Sequence, residues 1–125
     1  VDFLQTALQL VLRDLRSTNG IALRLLDEPS SSDPEYESMV MLSSSKSRTG
    51  LLAPLDMEQP ERVVHVADQV QEFVHEELNW LGLPVVWPEC PEHPGSHPLT
   101  PILVADKPSW QCPRSGHTIS AIGEL

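Results

Sequence analysis

The chain has two cysteines, and each opens a short turn that also carries a histidine. The first turn is Cys90-Pro91-Glu92-His93; the second, after eighteen intervening residues, is Cys112-Pro113-Arg114-Ser115-Gly116-His117. Thiolate and imidazole are the usual protein ligands of a tetrahedral zinc ion, and a structural site takes four of them. The Cys-x2-His spacing lets one tight turn aim both side chains at one point. Cys112 and His117 have four residues between them, a longer reach. Two thiolates and two neutral imidazoles cancel the ion's double charge, so the cluster can be partly buried without a large desolvation cost. The expected metal ligands are Cys90, His93, Cys112 and His117, the expected cofactor is a structural zinc, and His97 competes with His117 for the fourth position. The same residues also allow a metal-free proline-rich cap in which the cysteines are small buried hydrophobes, or a Cys90–Cys112 disulfide. A catalytic site would use three ligands, such as Cys90, His93 and Cys112, with Glu92 as a base. The deaminase pattern, a Glu beside a ligating His followed by Pro-Cys-x-x-Cys, is not completed here.

Trp110-Gln111-Cys112-Pro113 and Pro88-Glu89-Cys90-Pro91 resemble the knuckles of zinc-ribbon domains, where an aromatic strand delivers a Cys-Pro-x-Cys-Gly turn. The resemblance covers residues 85–125. It implies a structural metal, backbone N–H groups donating to the cysteine sulfur, and a module that contacts protein or nucleic acid. The chain departs from the pattern in three places. His93 stands at the first knuckle's second cysteine, Ser115 at the second knuckle's, and Pro94 at the first knuckle's glycine.

The elements that must carry these turns follow from periodicity. Val1, Leu4, Leu8, Val11 and Leu15 recur at helical spacing, with Arg13 and Arg16 near the end and Asn19-Gly20 as the stop. Ile21 to Leu25 alternates as a strand, Pro29 to Pro34 is a polar loop, Tyr36 to Leu42 is a second strand, and Thr49 to Leu55 a weaker third. Short polar connections predict antiparallel pairing. A second helix is expected from Asp56–Pro60 to Leu81, with apolar positions from Val63 to Leu81, a Pro in its first turn and Gly82-Pro84 after it. Further on, Val85 to Trp87 reads as a short strand. Ile102–Ala105 and Ser109–Gln111 read as a hairpin across Asp106-Lys107-Pro108, and Thr118–Ile122 as a last strand. The predicted fold class is α+β. A helix, a three-stranded antiparallel sheet and a helix form a two-layer acidic domain over residues 1–82, followed by a Pro-rich zinc-ribbon-like hairpin module over 83–125 packed on it.

Composition narrows the function. The formal net charge is −10, with 14 acids against 6 bases in residues 1–82 and 4 against 2 in residues 83–125. That field repels nucleic-acid backbone and anionic membrane. No run of eighteen apolar residues is present, so no membrane-spanning helix is expected. Two cysteines in a chain of 125 residues argue for a reducing compartment, and a cytoplasmic location is expected. Ser43, Ser44 and Ser45 have no His/Asp arrangement beside them, and the glycines form no phosphate loop. His65 and His75 read as solvated, with a surface pair between Glu72 and His75. Trp80, Trp87 and Trp110 are expected to wedge the C-terminal segment against the helices, any exposed one marking a binding surface. The expected function is a non-enzymatic interaction or adaptor role with a protein partner, a basic one being the natural match for the acidic helix face. The alternatives are a metal-free acidic inhibitor of the immunity-protein kind and a small metal-dependent hydrolase.

Overall fold

The computed structural model describes residues 3–18, 21–26 and 40–125. Helix α1 spans Phe3–Thr18 and buries Leu4, Ala7, Leu8, Val11, Leu12 and Leu15, the i, i+3/i+4 stripe of the sequence. Helix α2 spans Gln59–Trp80, with Pro60 in its first turn and Val63, Val66, Ala67, Val70, Phe73, Val74 and Leu78 buried. Val1, the Asn19-Gly20 stop, the Pro29–Pro34 loop and the Tyr36–Met39 start of the second strand lie outside the described residues.

The class is α+β, as expected: two helices and two three-stranded antiparallel sheets among the described residues. The first sheet holds β1 (Arg24–Leu26), β2 (Val40–Ser43) and β3 (Arg48–Leu51) in chain order. The second holds β4 (Thr100–Val104), β5 (Lys107–Gln111) and β6 (Thr118–Ala121), also in chain order. Strand β3 ends at Leu51, short of the expected Leu55, and Leu52 is instead gripped by Gln69. That side-chain amide accepts from Leu52 N (3.2 Å) and donates to Leu52 O (2.9 Å), standing in for a neighbouring strand. The β4–β5 turn is Ala105-Asp106, both in the left-handed region (φ 49° and 64°), as a two-residue hairpin turn demands. Lys107 and Pro108, expected in that turn, belong to β5.

Val85–Trp87 is not a strand. Pro84 and Pro88 flank it and each lacks a ladder donor. Its backbone is held from the side instead: Gln71 Nε2 donates to Trp87 O (3.2 Å) and Leu99 O (2.6 Å), and His75 Nε2 meets Trp87 O at 2.6 Å.

Helix α2 lies against α1 and touches β3, β4 and β5. One set of buried side chains runs from Leu4 on α1 through Val70 on α2 to Trp110 and Ile122 in the second sheet. Trp87 and Trp110 meet edge to face, with ring centroids 5.7 Å apart. Their indole N–H groups both reach α1, Trp87 donating to Thr18 Oγ1 (2.9 Å) and Trp110 to Asp14 Oδ2 (2.8 Å). Asp14 is fully buried, and its carboxylate also accepts from Gly123 N (2.7 Å) and Leu125 N (3.0 Å). Arg13 donates to Gly123 O beside it. A charge buried at this depth is tolerated because three N–H donors replace its water.

Candidate metal centre

Two turns build the centre. The first tops the loop between α2 and β4. Its feet, Trp87 and Leu99, are the two carbonyls held by Gln71. Above them Leu99 N donates to Pro88 O (2.7 Å), Glu89 bridges to Pro98, and Cys90 N reaches His97 O (3.4 Å), so the loop rises as a short antiparallel stem. At its tip His93 N donates to Cys90 O (3.2 Å) and Ser96 N to His93 O (3.1 Å), with Gly95 at φ 71°. This winding turns Cys90, His93 and His97 toward one point. The second turn follows β5: Cys112 N donates to His117 O and Gly116 N to Cys112 O, both at 2.9 Å, with Gly116 at φ 79°.

Cys90, His93, His97 and Cys112 each offer a ligand atom, and these atoms all lie within 4.8 Å of one another. His93 Nδ1 is 3.6 Å from Cys90 Sγ, 3.5 Å from Cys112 Sγ and 3.0 Å from His97 Nε2; Cys112 Sγ is 3.8 Å from His97 Nε2. Both cysteines are fully buried free thiols, and both histidines are half-buried. His97 Nδ1 donates to Pro98 O at 3.0 Å, which leaves the lone pair on Nε2, the atom facing the cluster. Ser115 N donates to Cys112 Sγ at 3.4 Å, the bond a ribbon knuckle implies. Burial raises the Cys112 pKa, but hydrogen bonds from Ser115, from the Arg114 backbone and from Cys90 outweigh it and bring the value down to about 6. Those hydrogen bonds favour the thiolate that a metal requires. The four residues form a Cys2His2 cluster able to hold a metal ion.

Of the four residues read from the sequence, Cys90, His93 and Cys112 stand together. His117 stands outside, with His97 in the cluster instead. His117 Nδ1 lies 2.5 Å from Glu92 Oε2, and Ser115 Oγ donates to Glu92 Oε1 at 2.6 Å. Glu92 thus braces one turn against the other. The Ser115 and His117 hydrogen bonds lower the Glu92 pKa, and the bond to Glu92 raises that of His117. The raised His117 value favours the folded state below the ordinary histidine pKa of 6.5, and this is lost as pH climbs through the raised value. The lowered Glu92 value favours it above the ordinary 4.5, lost as pH falls through the lowered value. The brace is therefore at full strength between those two ordinary values. Histidine NMR titration of chelator-treated protein should show the His117 midpoint fall toward the ordinary value in Glu92→Gln; an unmoved midpoint would refute the pairing. Glu92 is bonded to Ser115 and His117 in this brace and is not among the four residues of the cluster.

The signal for His97 was present in the sequence: Cys90-x2-His93-x3-His97 puts three ligands in one proline-rich loop. His75 bonds the Trp87 carbonyl instead of pairing with Glu72. Ser44 caps its own turn, accepting from Lys46 N and Ser47 N at 3.2 and 3.0 Å. No helix among the described residues is long and apolar enough to cross a membrane. No family model, no curated protein and no solved structure matches the chain.

Proposed function

We propose that the chain is a non-enzymatic protein-interaction domain whose C-terminal half is held by a structural zinc ion bound to Cys90, His93, His97 and Cys112. The observation that carries this is the convergence of two sulfurs and two ring nitrogens within 4.8 Å. An ion with Zn–S near 2.3 Å and Zn–N near 2.0 Å sets tetrahedral S and N neighbours about 3.5 Å apart. The S–N distances of 3.5, 3.6 and 3.8 Å match that spacing. The S2N2 donor set favours zinc over the hard, oxygen-seeking cations. Four protein donors complete the tetrahedron and leave no position for a reacting water, which supports a staple over a catalyst. The reading also places the chain in a reducing compartment, where the thiolates persist.

Elemental analysis of protein purified without chelator tests this, with one zinc per chain expected. In competition with a chromophoric chelator, His97→Ala should weaken zinc retention by about 10- to 100-fold or more, while His117→Ala should keep it. Zinc-free wild-type protein would overturn the proposal. Loss in His117→Ala with retention in His97→Ala would reassign the fourth ligand.

A further inference from the structure

We infer that the exposed apolar cap at the end of α2, Trp80 to Val85, docks a basic amphipathic segment of a protein partner. This rests on the interaction reading above and names its surface. Three tryptophans occur in the chain; Trp87 and Trp110 are 3% and 0% exposed, whereas Trp80 is 71% exposed. Leu81, Leu83 and Val85 beside it are 47%, 49% and 36% exposed. Four large apolar side chains exposed within six residues are a concentration of the kind that marks a binding surface, and tryptophan is among the residues most often found at its energetic centre.

The patch is ordered. Gly82 (φ 69°) closes the helix, with Gly82 N donating to Asn79 O (3.1 Å) and Leu83 N to Leu78 O (2.9 Å). This paired bonding is the Schellman stop, and Pro84 follows to stiffen the exit. The apolar side chains are thus displayed on a backbone already in place, which lowers the entropy lost on binding.

Charge selects the occupant. Asp68, Glu72 and Glu76 are exposed at i, i+4 intervals and lead along one stripe of α2 to Trp80. None of the three has an ion-pair partner among the described residues. Together with Asn79 and Val85 they border an open groove of about 540 Å³. Between Arg62 and Lys107 the chain has no Lys or Arg and seven acids. Like charges at i, i+4 repel, and cations laid along the stripe relieve that repulsion. A second copy of this chain would oppose acid to acid, and nucleic acid or an anionic membrane would be repelled. What remains complementary is a segment with leucine-like side chains for the cap and Lys or Arg for the stripe. From Asp68 to Trp80 the stripe is roughly 18 Å long, enough for about three turns of helix.

The probe is a 14-residue peptide of leucine and lysine at helical spacing, with a serine-for-leucine peptide and a glutamate-for-lysine peptide as controls. The leucine/lysine peptide should bind, shift the Trp80 emission to the blue and shield it from acrylamide. Both controls should bind at least tenfold more weakly, as should the leucine/lysine peptide to Trp80→Ala/Leu83→Ser and to Glu72→Gln/Glu76→Gln. Equal affinity for the serine peptide, or unchanged affinity in either double variant, overturns the inference, as does self-association through this face in sedimentation. Zinc content and partner capture measured on the same proteins separate the two readings. A partner retained by Trp80→Ala/Leu83→Ser sinks the surface and leaves the interaction role standing; wild type that holds zinc but binds no protein sinks the role itself.

Discussion

Cys112→Ser should abolish zinc binding and lower the melting temperature to that of chelator-treated wild type, after which chelator should have no further effect. Cys112 is the only member of the cluster contributed by the second turn; Cys90, His93 and His97 share the first. Without it an ion held by the first turn would no longer join the Pro-rich loop to the end of β5. The linkage argument sets the size: free zinc at a thousand times the dissociation constant stabilises the folded state by about 4 kcal/mol. For a chain of this length that is roughly 15 °C in melting temperature. Cobalt substitution gives an independent readout, since a tetrahedral thiolate site produces intense visible bands together with sulfur-to-metal charge transfer. Those bands should disappear in Cys112→Ser and persist in His117→Ala. A wild-type melt indifferent to chelator would count decisively against a metal staple.

Asp14→Ala should destabilise the chain by about 3–5 kcal/mol, read as a shift in urea midpoint with unchanged slope. The carboxylate is fully buried and serves the Trp110 indole and the Gly123 and Leu125 amides at 2.8, 2.7 and 3.0 Å. Removing it leaves three donors without an acceptor, each worth about 1–3 kcal/mol when buried and unmet, while partial exposure at Leu125 keeps the sum below the maximum. Asp14→Asn keeps the shape but turns one acceptor into a donor facing donors, so it should recover little. Trp110→Phe deletes a single bond and its donor together and should lose less. In a double-mutant cycle Asp14→Ala and Trp110→Phe should couple by about 1–2 kcal/mol. A loss below about 1 kcal/mol in Asp14→Ala would show that the hub is not holding α1 to the second sheet.

Both helices were legible because their apolar residues repeat at the helical period over many turns, and tertiary packing needs that stripe. The hairpin was legible as two short segments either side of a turn, although the turn is Ala105-Asp106 and not Asp106-Lys107-Pro108, and β6 was legible as a last short strand. Val85–Trp87 was not, because three apolar residues in a row describe a strand only where a neighbouring edge is free. Here the available partners are the Gln71 amide and the His75 ring, whose reach across from α2 leaves no trace in the local sequence. Asp14 gave no signal either: its donors lie 96 to 111 residues away. Cys90, His93 and Cys112 were legible from spacing. The likeness between the two knuckles suggested a histidine from each, but Glu92 and Ser115 occupy His117, while the stem from Pro88 to Leu99 folds His97 back over Cys90.

Gln71 grips both feet of the loop that carries three of the four donors, through Trp87 O and Leu99 O. Neither clasp uses a donor of the cluster, and the His75 ring, also on α2, adds a second hold on Trp87 O. The helix therefore fastens the base of that loop independently of the donors at its tip, and an ion would enter a cup already thrown. Release and reloading of a metal would then be confined to the rim, with the helical layer as an unmoved anvil.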